Sequence, residues 1–146
     1  TVLSGAYKSK IEKLNQNIEL ESLATPLLVH LIEEGFYSNK ISDEVIHQYL
    51  SDDILDDIEA LILGCTHYPF IKDKVEAFYA SQVDVIDSSE EVAKSLESIL
   101  LEKDLVTEGT LPKHKFYVSD YTQSFEESTK IFFGEEVNLE HYKLWE

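Results

Sequence analysis

The chain has 146 residues and a formal charge of −17, from 29 acidic and 12 basic side chains, with 43% of residues hydrophobic and 11% aromatic. That is enough apolar material for an ordinary domain with a core, and the acidic balance argues against nucleic acid, whose phosphates call for clustered Lys and Arg. No apolar run approaches the ~20 residues of a membrane span, no basic-then-apolar leader is visible, and a single cysteine cannot form an internal disulfide, so the cytoplasm is the expected compartment.

The chain contains no methionine and begins Thr1-Val2, which reads as a processed chain or a fragment. Residues 1–14 are predicted to form a helix, with Leu3, Ala6, Tyr7, Ile11 and Leu14 near helical spacing and Lys8, Lys10 and Lys13 on the wetter side. Asn15 and Asn17 supply a stop. Residues 18–24 alternate as a strand does, Ile18, Leu20, Ser22 and Ala24 against Glu19 and Glu21. Pro26 suits the first turn of a helix over 26–35, closed by Gly35, that packs Leu27, Leu28, Val29 and Ile32. Glu33 and Glu34 lie at its end, where carboxylates oppose the helix dipole. Ser42 is placed to cap a helix through Leu50 with Val45, Ile46, Tyr49 and Leu50 as its apolar stripe, and an acidic turn over 52–58 follows.

Residues 60–64 read as a short strand buried on both faces, as in a parallel sheet. Gly64 allows a sharp exit, and Pro69 is placed like the first residue of a helix running through Lys72, Val75 and Phe78. Next come a strand over 83–86 and a long helix to about Lys103, capped by Ser88 or Ser89, with Val92, Leu96, Ile99 and Leu100 inward. A polar loop over 107–112, a strand over 115–119, a helix over 122–133 stopped by Gly134, and a strand over 137–142 complete the chain. Strands alternating with helices imply an α/β fold, largely parallel sheets flanked by helices. The weakest joint lies between Asp87 and Pro112, where a long helix and a loop can link two lobes.

Cys65 follows the 60–64 strand and precedes a helix, which is where open α/β sheets put their ligand sites. The positive end of that helix and His67, two residues away, both favour thiolate over thiol. The commoner state of a lone cysteine is structural and buried. Its neighbours shift that balance, because Gly64 brings backbone close, Thr66 offers a hydroxyl and an N–H, and His67 can share a proton. Three chemistries stay open: a thiol nucleophile with His67 as base, although a base usually comes from elsewhere in the fold; a metal site, although Cys65 and His67 supply only two ligands; and a thiol acting as acid and base, which needs a second proton carrier that this chain lacks. His30, His47, His114 and His141 stand alone and read as surface or packing residues.

The run Leu61-Ile-Leu-Gly-Cys-Thr-His-Tyr-Pro69 resembles the second catalytic motif of the glutamate racemases, within the cofactor-independent aspartate/glutamate racemase family. The segments Thr1-Val-Leu-Ser4-Gly-Ala-Tyr7, Leu23-Ala-Thr-Pro-Leu27 with Leu31-Ile-Glu-Glu-Gly35, Ile86-Asp-Ser88 and Lys115-Phe-Tyr-Val-Ser-Asp120 with Ser124-Phe125 resemble further stretches of that family. Local departures are Thr25 where many members have Cys, His30 where many have Pro, and Ser89 where Gly is usual. The likeness covers essentially the whole chain but only the second half or so of the family, without the first Asp-Ser loop, the Asn-Thr loop and the cysteine preceding it.

What the resemblance implies is a C-terminal portion of an isomerase that interconverts L- and D-glutamate without cofactor or metal, supplying D-glutamate for peptidoglycan synthesis. Two thiols would work on opposite faces of the α-carbon, Cys65 being one of them. His67 would orient or polarise that thiol, Thr66 would hold a substrate carboxylate together with His67, and Glu33 would assist proton handling. Tyr68 and Pro69 would serve packing and helix start. The family fold has two α/β lobes, so residues 1–88 would be most of the second lobe and residues 89–146 the returning segment of the first. The partners implied are glutamate and the missing N-terminal half, with neither nucleic acid nor membrane. Monomer and homodimer are both open, and the chain alone is expected to be inactive. An aspartate or related amino-acid racemase, a non-catalytic binding domain derived from the family, and a thiol hydrolase are the rival readings.

Overall fold

A computed structural model describes residues 2–14, 17–107, 109 and 113–143. The expected stop at Asn15, the terminal Thr1 and most of the 107–112 loop lie outside them. The chain divides into two compact units, the first comprising residues 1–32 and 36–89 and the second residues 33–35 and 90–146.

In the first unit, two parallel strands, β1 (Ala60–Leu63) and β2 (Asp84–Asp87), pair in the register Ala60 to Asp84 through Leu63 to Asp87. They are flanked by α1 (Ala6–Leu14), α2 (Pro26–Glu33), α3 (Lys40–Leu50) and α4 (Lys72–Phe78), with 3₁₀ turns at Phe36–Ser38, Asp53–Leu55 and Tyr68–Ile71. The core is the buried set Leu28, Ile32, Ile46, Leu63, Ile71 and Val75, against which Leu61, Val85, Tyr68 and Tyr79 pack. Parallel pairing, expected from the alternation of strands and helices, recurs in the second unit. There β3 (Phe116–Val118) pairs with β4 (Leu139–His141), and α6 (Gln123–Phe133) joins them in sequence. The Phe116 and Phe133 rings meet at 4.9 Å in that unit. The fold class is therefore α/β with parallel sheets. No described helix is long and apolar enough to cross a membrane.

Several local expectations are corrected. The first helix begins at Ala6, because residues 2–5 form a turn, with Gly5 at φ +60 and its N–H bonded to the Val2 carbonyl at 3.1 Å. Leu3 and Leu14 are exposed rather than packed. Residues 18–24 run without strand pairing among the described residues. Leu27 is exposed while Leu28 and Ile32 are buried. Asn39, not Ser42, caps α3. Its Oδ1 accepts from Ile41 and Ser42 N–H at 2.9 and 3.1 Å, and Ser42 occupies the reciprocal position of the capping box, 2% exposed. The helix after β2, α5 (Ser88–Glu102), is capped by Asp87, whose carboxylate accepts from Ser89 N–H at 2.8 Å. Its stripe does not face inward: Val92 and Leu96 are 65% and 53% exposed and Ile99 is exposed too. By contrast α6 keeps its expected ends, with Thr122 capping Phe125 N–H at 3.2 Å and Gly134 left-handed at φ +69.

β1 differs from its reading. Its run of apolar residues suggested burial on both faces, yet only the face carrying Leu61 and Leu63 joins the core. On the other face Ile62 is half-buried and Ile86 beside it is 39% exposed.

Tyr68 and Tyr79 sit among the core's packed residues. The Tyr68 hydroxyl is hydrogen-bonded to Thr25 Oγ1, which ties the 18–25 segment to the turn after β1. Burial holds Tyr68 above the ordinary tyrosine range; the Thr25 bond lowers it, while Cys65 and Tyr49 nearby raise it further. Burial also raises Tyr79, whose hydroxyl is buried and meets no partner among the described residues.

Ile46→Ala is expected to cost about 2–5 kcal/mol by opening a cavity in a closed core. Tyr79→Phe, which removes an unsatisfied hydroxyl, is expected to be neutral or stabilising by up to about 1 kcal/mol. Urea unfolding of both variants checks the pair. A tyrosine raised in the folded state binds its proton more tightly there than in the unfolded chain. Its contribution is therefore intact below about pH 10 and is lost as the pH climbs through the raised values. Urea midpoints taken with rising pH should fall from about pH 10 upward, and fall less steeply in a Tyr68→Phe, Tyr79→Phe double variant.

Candidate active site

The end of β1 is positioned by Leu63, buried in the core and laddered to Asp87. Gly64 leaves the strand with a non-positive φ, so a left-handed exit is not what it provides. It makes room instead: a methyl there would lie 3.4 Å from Cε2 of the Tyr7 ring. Cys65 follows, half-buried, its carbonyl accepting from Tyr68 N–H at 3.1 Å. This turn brings the His67 imidazole over the thiol, Sγ to Nδ1 3.8 Å. Which atom of the pair carries the proton follows the imidazole tautomer.

The helix expected to begin at Pro69 is a 3₁₀ turn there, and α4 proper begins at Lys72. Within the 3₁₀ turn, Tyr68 N–H donates to Cys65 O and Phe70 N–H to His67 O. Cys65 therefore does not stand at the first turn of α4. The imidazole remains as the group beside the sulfur.

Cys65 lines a concavity of about 1310 Å³ within the first unit, together with Gly64, Tyr7, Thr25, Tyr49 and Tyr68. Of the four candidate residues, only Cys65 is on that wall. Thr66 is exposed in the turn beside it and His67 is half-buried. Glu33 is exposed at the end of α2 and groups with the second unit. Among the described residues no three of His, Cys, Asp and Glu assemble into a metal-holding set.

One feature of the wall escaped the sequence. Tyr68, read as packing, and Thr25, read as a departure from a familiar pattern, form a hydrogen-bonded pair on the cavity side of Cys65. They are 43 positions apart, and no local spacing signals such a pair. The Tyr49 hydroxyl, accepting from Leu27 N–H at 3.4 Å, stands on the same wall. A thiol with an adjoining imidazole at the rim of a cavity can exchange a proton with a bound molecule, given a positioned substrate.

No family model matches the chain. Among curated relatives, the glutamate racemase of Persephonella marina is 35% identical over 144 residues, covering 99% of this chain and 53% of that protein. Among solved structures, the glutamate racemase of Francisella tularensis in complex with D-glutamate is 40% identical with a TM-score of 0.85, covering 97% of this chain and 54% of that one. A glutamate racemase isoform from Bacillus anthracis is 28% identical with a TM-score of 0.88, covering 99% and 54%. The chain thus spans about half the length of the relatives it matches. In sequence along almost all its residues, and in the course of its backbone, the chain is similar to about half of these glutamate racemases.

Proposed function

We propose that this chain is the C-terminal portion of a glutamate racemase, and that it supplies one of two thiols that interconvert L- and D-glutamate. The observation that carries this reading is Cys65, half-buried at the end of β1 on a cavity wall with the His67 imidazole 3.8 Å from its sulfur. The D-glutamate bound to the Francisella tularensis relative supports the substrate. The relatives matched are glutamate racemases, which weighs against an aspartate racemase, a non-catalytic module and a thiol hydrolase.

In the proposed reaction the Cys65 thiolate takes the α-proton on one face, forming S–H as the C–H bond breaks. The electron pair is left on the α-carbon, next to the carboxylate. A second thiol, from the other half of the protein, gives its proton to the opposite face. Run backwards, Cys65 donates and the second thiol accepts, so neither cofactor nor metal enters the balance. His67 polarises the Cys65 thiol and, with Thr66, holds a substrate carboxylate; the exposure of Thr66 leaves its hydroxyl and N–H at the rim. Glu33 assists proton handling. Residues 1–88 form most of one lobe and residues 89–146 the returning segment of the other, a division supported by the two compact units. The complete enzyme acts in the cytoplasm and feeds peptidoglycan synthesis.

The 146-residue chain alone is expected not to racemise glutamate, since it carries one thiol. Incubation in deuterium oxide with proton NMR and polarimetry checks this, and racemisation at the rate of a full-length enzyme would overturn the two-thiol scheme. In the complete protein, Cys65→Ala is expected to lower kcat/KM by roughly 10²–10⁴-fold, the span of a positioned acid–base group, with the fold unchanged by circular dichroism. Activity within a few-fold of the parent would remove Cys65 from the chemistry.

A further inference from the structure

We propose that Thr25 is a positioning residue for the Cys65 thiol: its hydrogen bond to the Tyr68 hydroxyl fixes the far end of the turn that carries His67 to the sulfur. The inference rests on the reading of Cys65 as a proton-transferring group and extends it to a residue outside the Cys65 motif.

Tyr68 closes that turn twice. Its backbone N–H donates to the Cys65 carbonyl at 3.1 Å, and its hydroxyl pairs with Thr25 Oγ1. His67 stands inside the closed turn, with Nδ1 3.8 Å from the Cys65 sulfur. Leu63 before the turn and Ile71 after it are buried. The residues between them are half-buried or exposed, so core packing alone does not set where they lie. The Thr25 bond anchors them to another part of the same wall, since Thr25, Tyr68 and Cys65 all line one hollow.

Thr25 is itself held. A residue before proline is kept out of the helical region, and a β-branched side chain has few χ1 choices, so its backbone and its rotamer are both restricted. Its carbonyl accepts from Leu28 N–H at 3.2 Å, which joins it to α2, whose Leu28 and Ile32 are buried in the core. Leu27 N–H donates to the Tyr49 hydroxyl at 3.4 Å, tying the start of α2 to α3. Thr25 therefore stands on rigid elements, as a group that positions another must. Burial keeps the Tyr68 phenol raised, so it is neutral at neutral pH and the pair brings no charge to the sulfur.

The test uses the complete protein. Thr25→Val removes the hydroxyl at nearly constant shape, Thr25→Ser keeps it, and Tyr68→Phe removes its partner. Steady-state racemisation is one readout. The other is the rate at which iodoacetamide alkylates Cys65 at neutral pH, read from the mass of its peptide. Thiolate is the species alkylated, and an imidazole held beside the sulfur favours it. Thr25→Val is expected to slow alkylation about threefold or more and to lower kcat roughly fivefold or more, with KM held within about twofold. Tyr68→Phe should match it, and the double variant should be no worse than either single, because all three lack the same bond. Thr25→Ser should restore both rates to within about twofold of the parent.

Alkylation unchanged or faster in Thr25→Val, a rise in KM without a fall in kcat, or no rescue by Thr25→Ser would each overturn the positioning role. Should Thr25→Val lose its fold by circular dichroism, Tyr68→Phe carries the same expectations. Alkylation needs no turnover, which separates the two claims. Slowed alkylation in a protein that does not racemise glutamate upholds the role of Thr25 against the functional reading. Racemisation and alkylation both indifferent to Thr25→Val do the reverse.

Discussion

The burial of Leu63 is the contact on which the site depends. It sits at the last position of β1, closed in by Ile46, Ile71 and Val75, and it is laddered to Asp87 of β2. With that side chain fixed, the backbone beyond Gly64 has one place to emerge, and Cys65 must stand at the rim. The 3₁₀ turn over Tyr68–Ile71 then folds back so that Ile71 and Val75 bury themselves in the same core. The imidazole of His67 is carried over the sulfur as a consequence. A core of aliphatic contacts thereby sets a polar geometry, which is how a loop residue gains a fixed position from rigid elements beneath it.

That core is one-sided. α2, α3 and α4 supply the residues that cover Leu61, Leu63 and Val85, with Lys74 of α4 bonded to Asp43 of α3 as an outer clasp. The face of β1 with Ile62 has no such cover, and Leu3 and Leu14 around α1 are exposed. In the second unit the Val92, Leu96 and Ile99 stripe of α5 is exposed as well. Isolated exposed apolar residues are ordinary, but these fall in regular stripes on elements whose sequence periodicity was written for burial.

Sequence reasoning reached the elements, the parallel pairing and the Cys65 motif because each has a local signature: apolar runs, Gly and Pro punctuation, a strand followed by a turn. It missed where the signature is shared. Asn39 and Ser42 are both good caps three positions apart, and only the side-chain geometry assigns one as cap and the other as its reciprocal partner. Pro69 fits the first turn of a 3₁₀ segment as well as that of an α-helix, so the four-residue turn that moves α4 to Lys72 went unseen. Residues 18–24 have a strand's alternation but lack a neighbour to pair with, and pairing is a property of the sheet rather than of the segment. The Thr25–Tyr68 bond has no local trace at all.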